Sequence, residues 1–190
     1  HLLGNFKMPG VGTRITATDL PAPYHEIESG SLRLDGATTT IRVMRGAGID
    51  SMIIYRYGMT FPVANSSGFA GIAVTVAGDD GSVRNCFITG FNKGVLSDGF
   101  QRPIIDRVFL DNNNGIEISR CYDISTVSNC HAWPFSTIQY GTDYVKDMRS
   151  GIAYYFHTVN DWGKVTNCFS YGYKTGFKMD SVNNMVLSSC

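Results

Sequence analysis

One phrase recurs at a fixed interval and limits what this chain can fold into. It reads Val83-Arg84-Asn85-Cys86, Val127-Ser128-Asn129-Cys130, Val165-Thr166-Asn167-Cys168 and Leu187-Ser188-Ser189-Cys190. A further copy, Ile105-Asp106-Arg107-Val108, carries Val in place of Cys. Cys86 to Val108, Val108 to Cys130 and Cys168 to Cys190 each span 22 residues, whereas Cys130 to Cys168 spans 38. A second phrase interleaves with it: Gly71-Ile72-Ala73-Val74, Gly94-Val95-Leu96-Ser97, Gly115-Ile116-Glu117-Ile118, Gly151-Ile152-Ala153-Tyr154 and Gly176-Phe177-Lys178-Met179. Short alternating segments punctuated by Gly, Asn and Asp read as strands joined by tight turns. A unit of about 22 residues holding two or three such strands predicts one coil of a parallel β-helix, each coil stacked about 4.8 Å from the next.

Stacking turns sequence spacing into neighbourhood. The positions Cys86, Val108, Cys130, Cys168 and Cys190 are expected to form an inward column of small apolar groups. Disulfides or metal ligation fit poorly, because the thiols share one direction and lack Cys-x-x-Cys or His partners, so buried free thiols are expected. Asn85, Asn129 and Asn167 predict an asparagine ladder at a turn, interrupted by Arg107 and Ser189, since Asn tolerates the left-handed backbone.

Before Gly71 the pattern loosens, with strands expected around 31–34, 39–44 and 52–55 and an excursion through 61–67. Residues 1–27 hold three of the six prolines and read as a lead-in or cap; 28–190 read as the β-helix. Cys190 falls inside a repeat, so the sequence reads as a truncated fragment whose helix continues. The 16 basic and 16 acidic residues balance, which argues against a nucleic-acid or anionic-membrane partner. No apolar run approaches the roughly 18 residues of a membrane-spanning helix.

The Gly-φ-x-φ and φ-x-Asn-Cys phrases resemble the right-handed parallel β-helices of the pectate-lyase-like superfamily. The degenerate coils, stacked Asn and aromatic loops look most like bacteriophage tailspikes and capsule depolymerases. That resemblance covers about 28–190 and implies an all-β, right-handed solenoid. It also implies a homotrimer on a virion tail, outside cells, that binds a bacterial capsular or O-antigen polysaccharide and cleaves it by glycoside hydrolysis. The alternatives are a non-catalytic glycan-binding adhesin or structural appendage, and a secreted polysaccharide lyase. In such proteins one strand of each coil faces substrate and the turn leading into it grows into groove loops; here these are the Gly-φ-x-φ strands and the turn from the Cys position to the next Gly. That turn is 7 or 8 residues in three coils but 21 from Cys130 to Gly151.

The inserted stretch carries Trp133, Tyr140, Asp143, Tyr144, Lys146, Asp147 and Arg149. Sugar rings lie on aromatic planes while their hydroxyls bond charged groups, so these residues are candidate saccharide contacts; the plainer role for the aromatics is packing. Taking the first and third residues after each Gly as inward, the outward pairs are Ala73 with Thr75, Leu96 with Asp98, Glu117 with Ser119, Ala153 with Tyr155, and Lys178 with Asp180. Asp98 and Glu117 then sit on adjacent coils, their backbones roughly 8 Å apart. Carboxyls ~6.5–9.5 Å apart suit an inverting glycosidase, and these two are the candidate catalytic pair, although surface acids on a rod are ordinary. Tyr155, Trp162 beside Asp161, and Asp180 are further substrate-contact candidates. His157 reads as a structural histidine or a proton shuttle. A lyase would draw on Arg120, Lys146 or Arg149, but no carboxylate cluster suggests calcium and Asp79-Asp80-Gly81 reads as a turn. No metal or cofactor is expected.

Overall fold

The computed structural model describes residues 31–34, 40–58, 68–135 and 149–190, together with the backbone of short strands at 6–7, 15–16 and 26–28. The described residues form a parallel β-helix in which each coil visits three sheets in turn. The first sheet contains Gly48–Asp50, Ser82–Arg84, Ile104–Asp106, Thr126–Ser128, Lys164–Thr166 and Val186–Ser188. The second contains Ser31–Leu34, Ile53–Arg56, Phe87–Thr89, Phe109–Asp111, His131–Ala132 and Phe169–Ser170. The third contains Ile41–Val43, Ile72–Val76, Lys93–Asp98, Asn114–Ser119, Arg149–His157 and Tyr173–Met179. At the amino end, Glu26–Glu28 pairs antiparallel with both Ile15–Thr16 and Ser31–Leu34.

Register follows the 22-residue period. Ile105 aligns with Val83 on one side and Val127 on the other, and Val127 aligns with Val165 despite the 38-residue step. The extra residues therefore leave the coil between the second and third sheets without disturbing the stack. Columns of like residues build the core. Val83, Ile105, Val127 and Val165 line the first sheet; Ile54, Ile88, Leu110 and Ala132 line the second. Val74, Val95, Ile116 and Tyr154 line the third, and all of these residues are buried. Val, Ile and Leu suit this role because branched and aliphatic side chains pack flat against the same residue one coil away.

The first and second sheets meet at a single residue in the left-handed region. Ser51, Asn85, Arg107, Asn129, Asn167 and Ser189 occupy this corner, with φ of 59, 51, 52, 56, 52 and 55°. The expected ladder forms in part: the Asn167 side-chain amide donates to Asn129 Oδ1 at 2.8 Å. Arg107 occupies the corner before Asn129, which donates instead to Asp106 at 2.8 Å, and Ser51 occupies the corner before Asn85, which donates to Asp50 at 2.8 Å. The next residue in each coil points inward. Cys86, Val108, Cys130 and Cys168 are buried, whereas Cys190, expected in the same buried column, is exposed because no described coil covers it; all of these thiols are free. Burial pushes the Cys86 thiol up to about 11. The fifth cysteine, Cys121, is also a buried free thiol and belongs to a different turn.

At the corner of the third sheet, two glycines have no room for a side chain. A Cβ at Gly115 would collide with the carbonyl oxygen of Ala153 on the next coil, and one at Gly94 would lie 2.7 Å from the Asn112 amide and 2.9 Å from the Gly115 carbonyl. The equivalents in register are Ala73, Gly94, Gly115, Ala153 and Gly176. Gly71 and Gly151 lie two residues earlier in their coils. This corrects the phase expected from the glycine phrase: Ala73 and Ala153 are buried corner residues, not outward members of the third sheet.

Candidate functional site

With the phase corrected, the outer face of the third sheet is two columns wide. One column runs Arg42, Thr75, Leu96, Glu117, Tyr155 and Lys178. The other contains Asp98, Ser119 and His157, with Asp180 following Met179 on the last coil. Asp98 and Glu117 therefore stand where the repeat arithmetic places them, on adjacent coils and two residues apart along the strand. His157 joins them because Tyr155 pairs with Glu117, which puts the imidazole one coil from Ser119.

Side chains on this face form one polar network. Glu117 accepts from Lys93 Nζ at 2.5 Å and faces His157 Nε2 at 3.3 Å. His157 Nδ1 lies 2.8 Å from Thr158 Oγ1, and its ring stacks on Tyr155 with centroids 4.2 Å apart. Tyr155 donates its phenol proton to Asp180 at 2.9 Å, and Lys178 reaches the same carboxylate at 2.7 Å. Asp98 accepts from Ser119 Oγ and from Arg120 Nε at 2.8 Å.

These contacts set the charge states. Partial burial raises the Asp98 carboxyl, but hydrogen bonds from Ser119 and Arg120, with the positive charge of Arg120, outweigh it and leave Asp98 below its ordinary value. Hydrogen bonds from Lys178 and Tyr155 hold Asp180 low, and the same contact with Asp180 raises Tyr155. A carboxylate so held stays ionised and accepts protons or orients water. The face thus presents ionised acids, cations, an imidazole and a phenol side by side, the groups that bind sugar hydroxyls and move protons.

Other candidates lie elsewhere. Arg149, expected as a saccharide contact, is fully buried at the corner between the second and third sheets, where it pairs with buried Asp111 and lies over the Phe69 ring at 4.8 Å. Trp133 is on the outer face of the second sheet, stacked on Tyr171 at 4.5 Å and in contact with His131 and Phe169. Phe135 extends this aromatic patch over Phe87 and Phe109. The start of the insertion therefore folds away from the third sheet. Tyr140, Asp143, Tyr144, Lys146 and Asp147 lie outside the described residues. Trp162 is exposed on a left-handed turn, its backbone N–H donating to the Asn183 carbonyl at 3.2 Å, and Asp161 beside it accepts from Asn184. Asp79 and Asp80 belong to a turn ladder in which Arg102 donates to Asp80 at 2.6 Å and to Asp123 at 2.7 Å.

Sequence reading missed Lys93 at this site. It immediately precedes the Gly94 that marks the corner, and only the fold shows that such a residue reaches the next coil. Among the described residues, no group of three or more His, Cys, Asp or Glu stands close enough to hold a metal ion. No family model matches the chain. No curated protein and no solved structure matches it either.

Proposed function

We propose that this chain is part of an extracellular, trimeric virion tailspike that binds a bacterial capsular or O-antigen polysaccharide along the outer face of the third sheet and cleaves it by hydrolysis. The observation that carries this reading is the register of Leu96 with Glu117 and of Asp98 with Ser119, which sets the two acids diagonally on adjacent coils of one face. A sheet face lined with ion pairs on successive coils suits an extended glycan, whose hydroxyls insert between acid and base. Asp98, kept ionised by Ser119 and Arg120, is the group that takes a proton from attacking water.

A second reading draws on the same contacts. Asp98, Glu117 and Asp180 each hold a cation, Arg120, Lys93 and Lys178 respectively. Such a saturated face also fits an adhesin that holds glycan without cutting it.

Digestion of a panel of capsular and O-antigen polysaccharides separates these outcomes. New reducing ends without the ultraviolet absorbance of an unsaturated sugar support hydrolysis. That absorbance would mark a lyase and overturn the hydrolytic reading, and binding without shortening would leave the adhesin. The variants Asp98→Asn and Glu117→Gln, each tested alone, should lose cleavage; full activity in both removes the pair from the mechanism.

A further inference from the structure

We propose that His157 is the proton donor of this site, an inference that rests on the hydrolytic reading above. Hydrolysis needs one group that gives a proton to the leaving glycosidic oxygen and another that receives one from water. Asp98 and Asp180 are held ionised by hydrogen bonds and cations, which suits them to receive and not to give. Glu117 is occupied as an acceptor, by Lys93 on one oxygen and by the imidazole on the other. The phenol proton of Tyr155 is committed to Asp180. Lys93, Arg120 and Lys178 are each tied to a carboxylate. Among the groups facing one another here, imidazole is the side chain whose ordinary chemistry exchanges a proton between pH 5 and 8.

Two neighbours hold the ring for that task. Thr158 Oγ1 lies against Nδ1 at 2.8 Å and the Tyr155 ring covers one face at 4.2 Å. The longer contact, Nε2 to Glu117 at 3.3 Å, is the side on which a glycosidic oxygen can enter. The fully buried Asn160 donates its amide to the backbone carbonyl of His157 at 2.7 Å and to that of Ile118 at 2.9 Å. These two bonds tie the strand ends carrying His157 and Glu117 together, which makes Asn160 a positioning residue.

In the step itself the C–O bond to the leaving sugar breaks as Nε2–H passes its proton to that oxygen. Water supplies the new bond at the anomeric carbon and gives its proton to Asp98. Solvent then carries a proton from Asp98 back to the imidazole, so atoms and charges balance over a turnover.

The test compares wild type, His157→Gln and His157→Asn on the polysaccharide that wild type cuts, with cooperative urea unfolding as the check on folding. Cleavage should fall about 10²–10⁴-fold in both variants. A dinitrophenyl glycoside of the same sugar needs no proton on its leaving oxygen, so both variants should recover most of their rate on it. A purely structural histidine would show no such rescue. Cleavage within threefold of wild type in a folded variant, or equal loss on both substrates, overturns the role of His157 and leaves the hydrolytic reading standing. Failure of wild type to cut any glycan overturns the hydrolytic reading, and this role with it.

Discussion

Arg149 and Asp111 form an ion pair with both side chains fully buried, although Arg149 belongs to the end of the insertion and Asp111 lies 38 positions earlier. The pair fills the corner where the second sheet hands over to the third, beside the Phe69 ring. A buried charge is tolerated only with its partner, since each alone carries a desolvation cost of several kcal/mol.

Removing one partner should therefore be far worse than removing both. Asp111→Asn or Arg149→Met is expected to lose about 3–5 kcal/mol, read as a lower urea midpoint. The double variant Asp111→Leu with Arg149→Met should recover much of that loss. Single variants as stable as wild type would show that the corner does not depend on the pair.

Glycines of one column should differ in their tolerance of alanine. A Cβ at Gly115 runs into the Ala153 carbonyl, whereas one at Gly176 meets only the Ser170 side chain at 3.4 and 3.5 Å. Gly115→Ala is expected to cost about 1–3 kcal/mol through overpacking, and Gly176→Ala to be near neutral or mildly stabilising. Thermal unfolding of the two variants decides; equal shifts would mean the corner relaxes freely.

The arginine that interrupts the asparagine ladder is a point of cheap improvement. Arg107 holds φ of 52° and pairs with Asp106 at 3.2 Å from an exposed position, so the pair contributes little. Asn accepts the left-handed backbone more readily. Arg107→Asn should raise stability by about 0.5–1 kcal/mol, measured by urea denaturation, and a fall in midpoint would contradict this.

Acid should weaken the fold through carboxylates at the turns. Burial raises Asp106, but hydrogen bonds from Asn129 and Ser128 outweigh it and leave the group below its ordinary value; Asp98 is lowered in the same sense. A folded value below the unfolded one, about 3.9, means the native state binds fewer protons than the unfolded state. The stabilisation is then complete above that pH and lost as pH falls through the lower, folded value. Unfolding free energy should accordingly decline below about pH 4. Asp106→Asn should flatten the decline, and an unchanged slope would remove Asp106 as a contributor.

How much of this was legible in the sequence depends on the residue. Asp98, Ser119 and Glu117 fell in their correct relation because Gly94 and Gly115 are true equivalents, so subtraction of positions gave the right neighbours. Tyr155 lies on the expected face, but its place in the column is set by Ala153 and not by Gly151, which makes it the partner of Glu117. His157 reads from the sequence as a structural histidine or a proton shuttle, and only this register places it one coil from Ser119. Trp133 and Arg149 look equally available in a polar insertion, yet one packs on the second sheet and the other enters the core.

The amino-acid sequence alone determined the period, and with it the parallel β-helix, the buried thiol column and the left-handed corner, because stacking copies each local choice into the next coil. Only the tertiary structure decided the phase of each coil and the direction of the residues at its corners. Alternation identifies two faces of a strand without saying where the strand begins, and at a corner the backbone turns, so an adjacent residue can face the core, the next coil or solvent. The joining of Lys93, Glu117 and His157 spans three coils and depends on that turning.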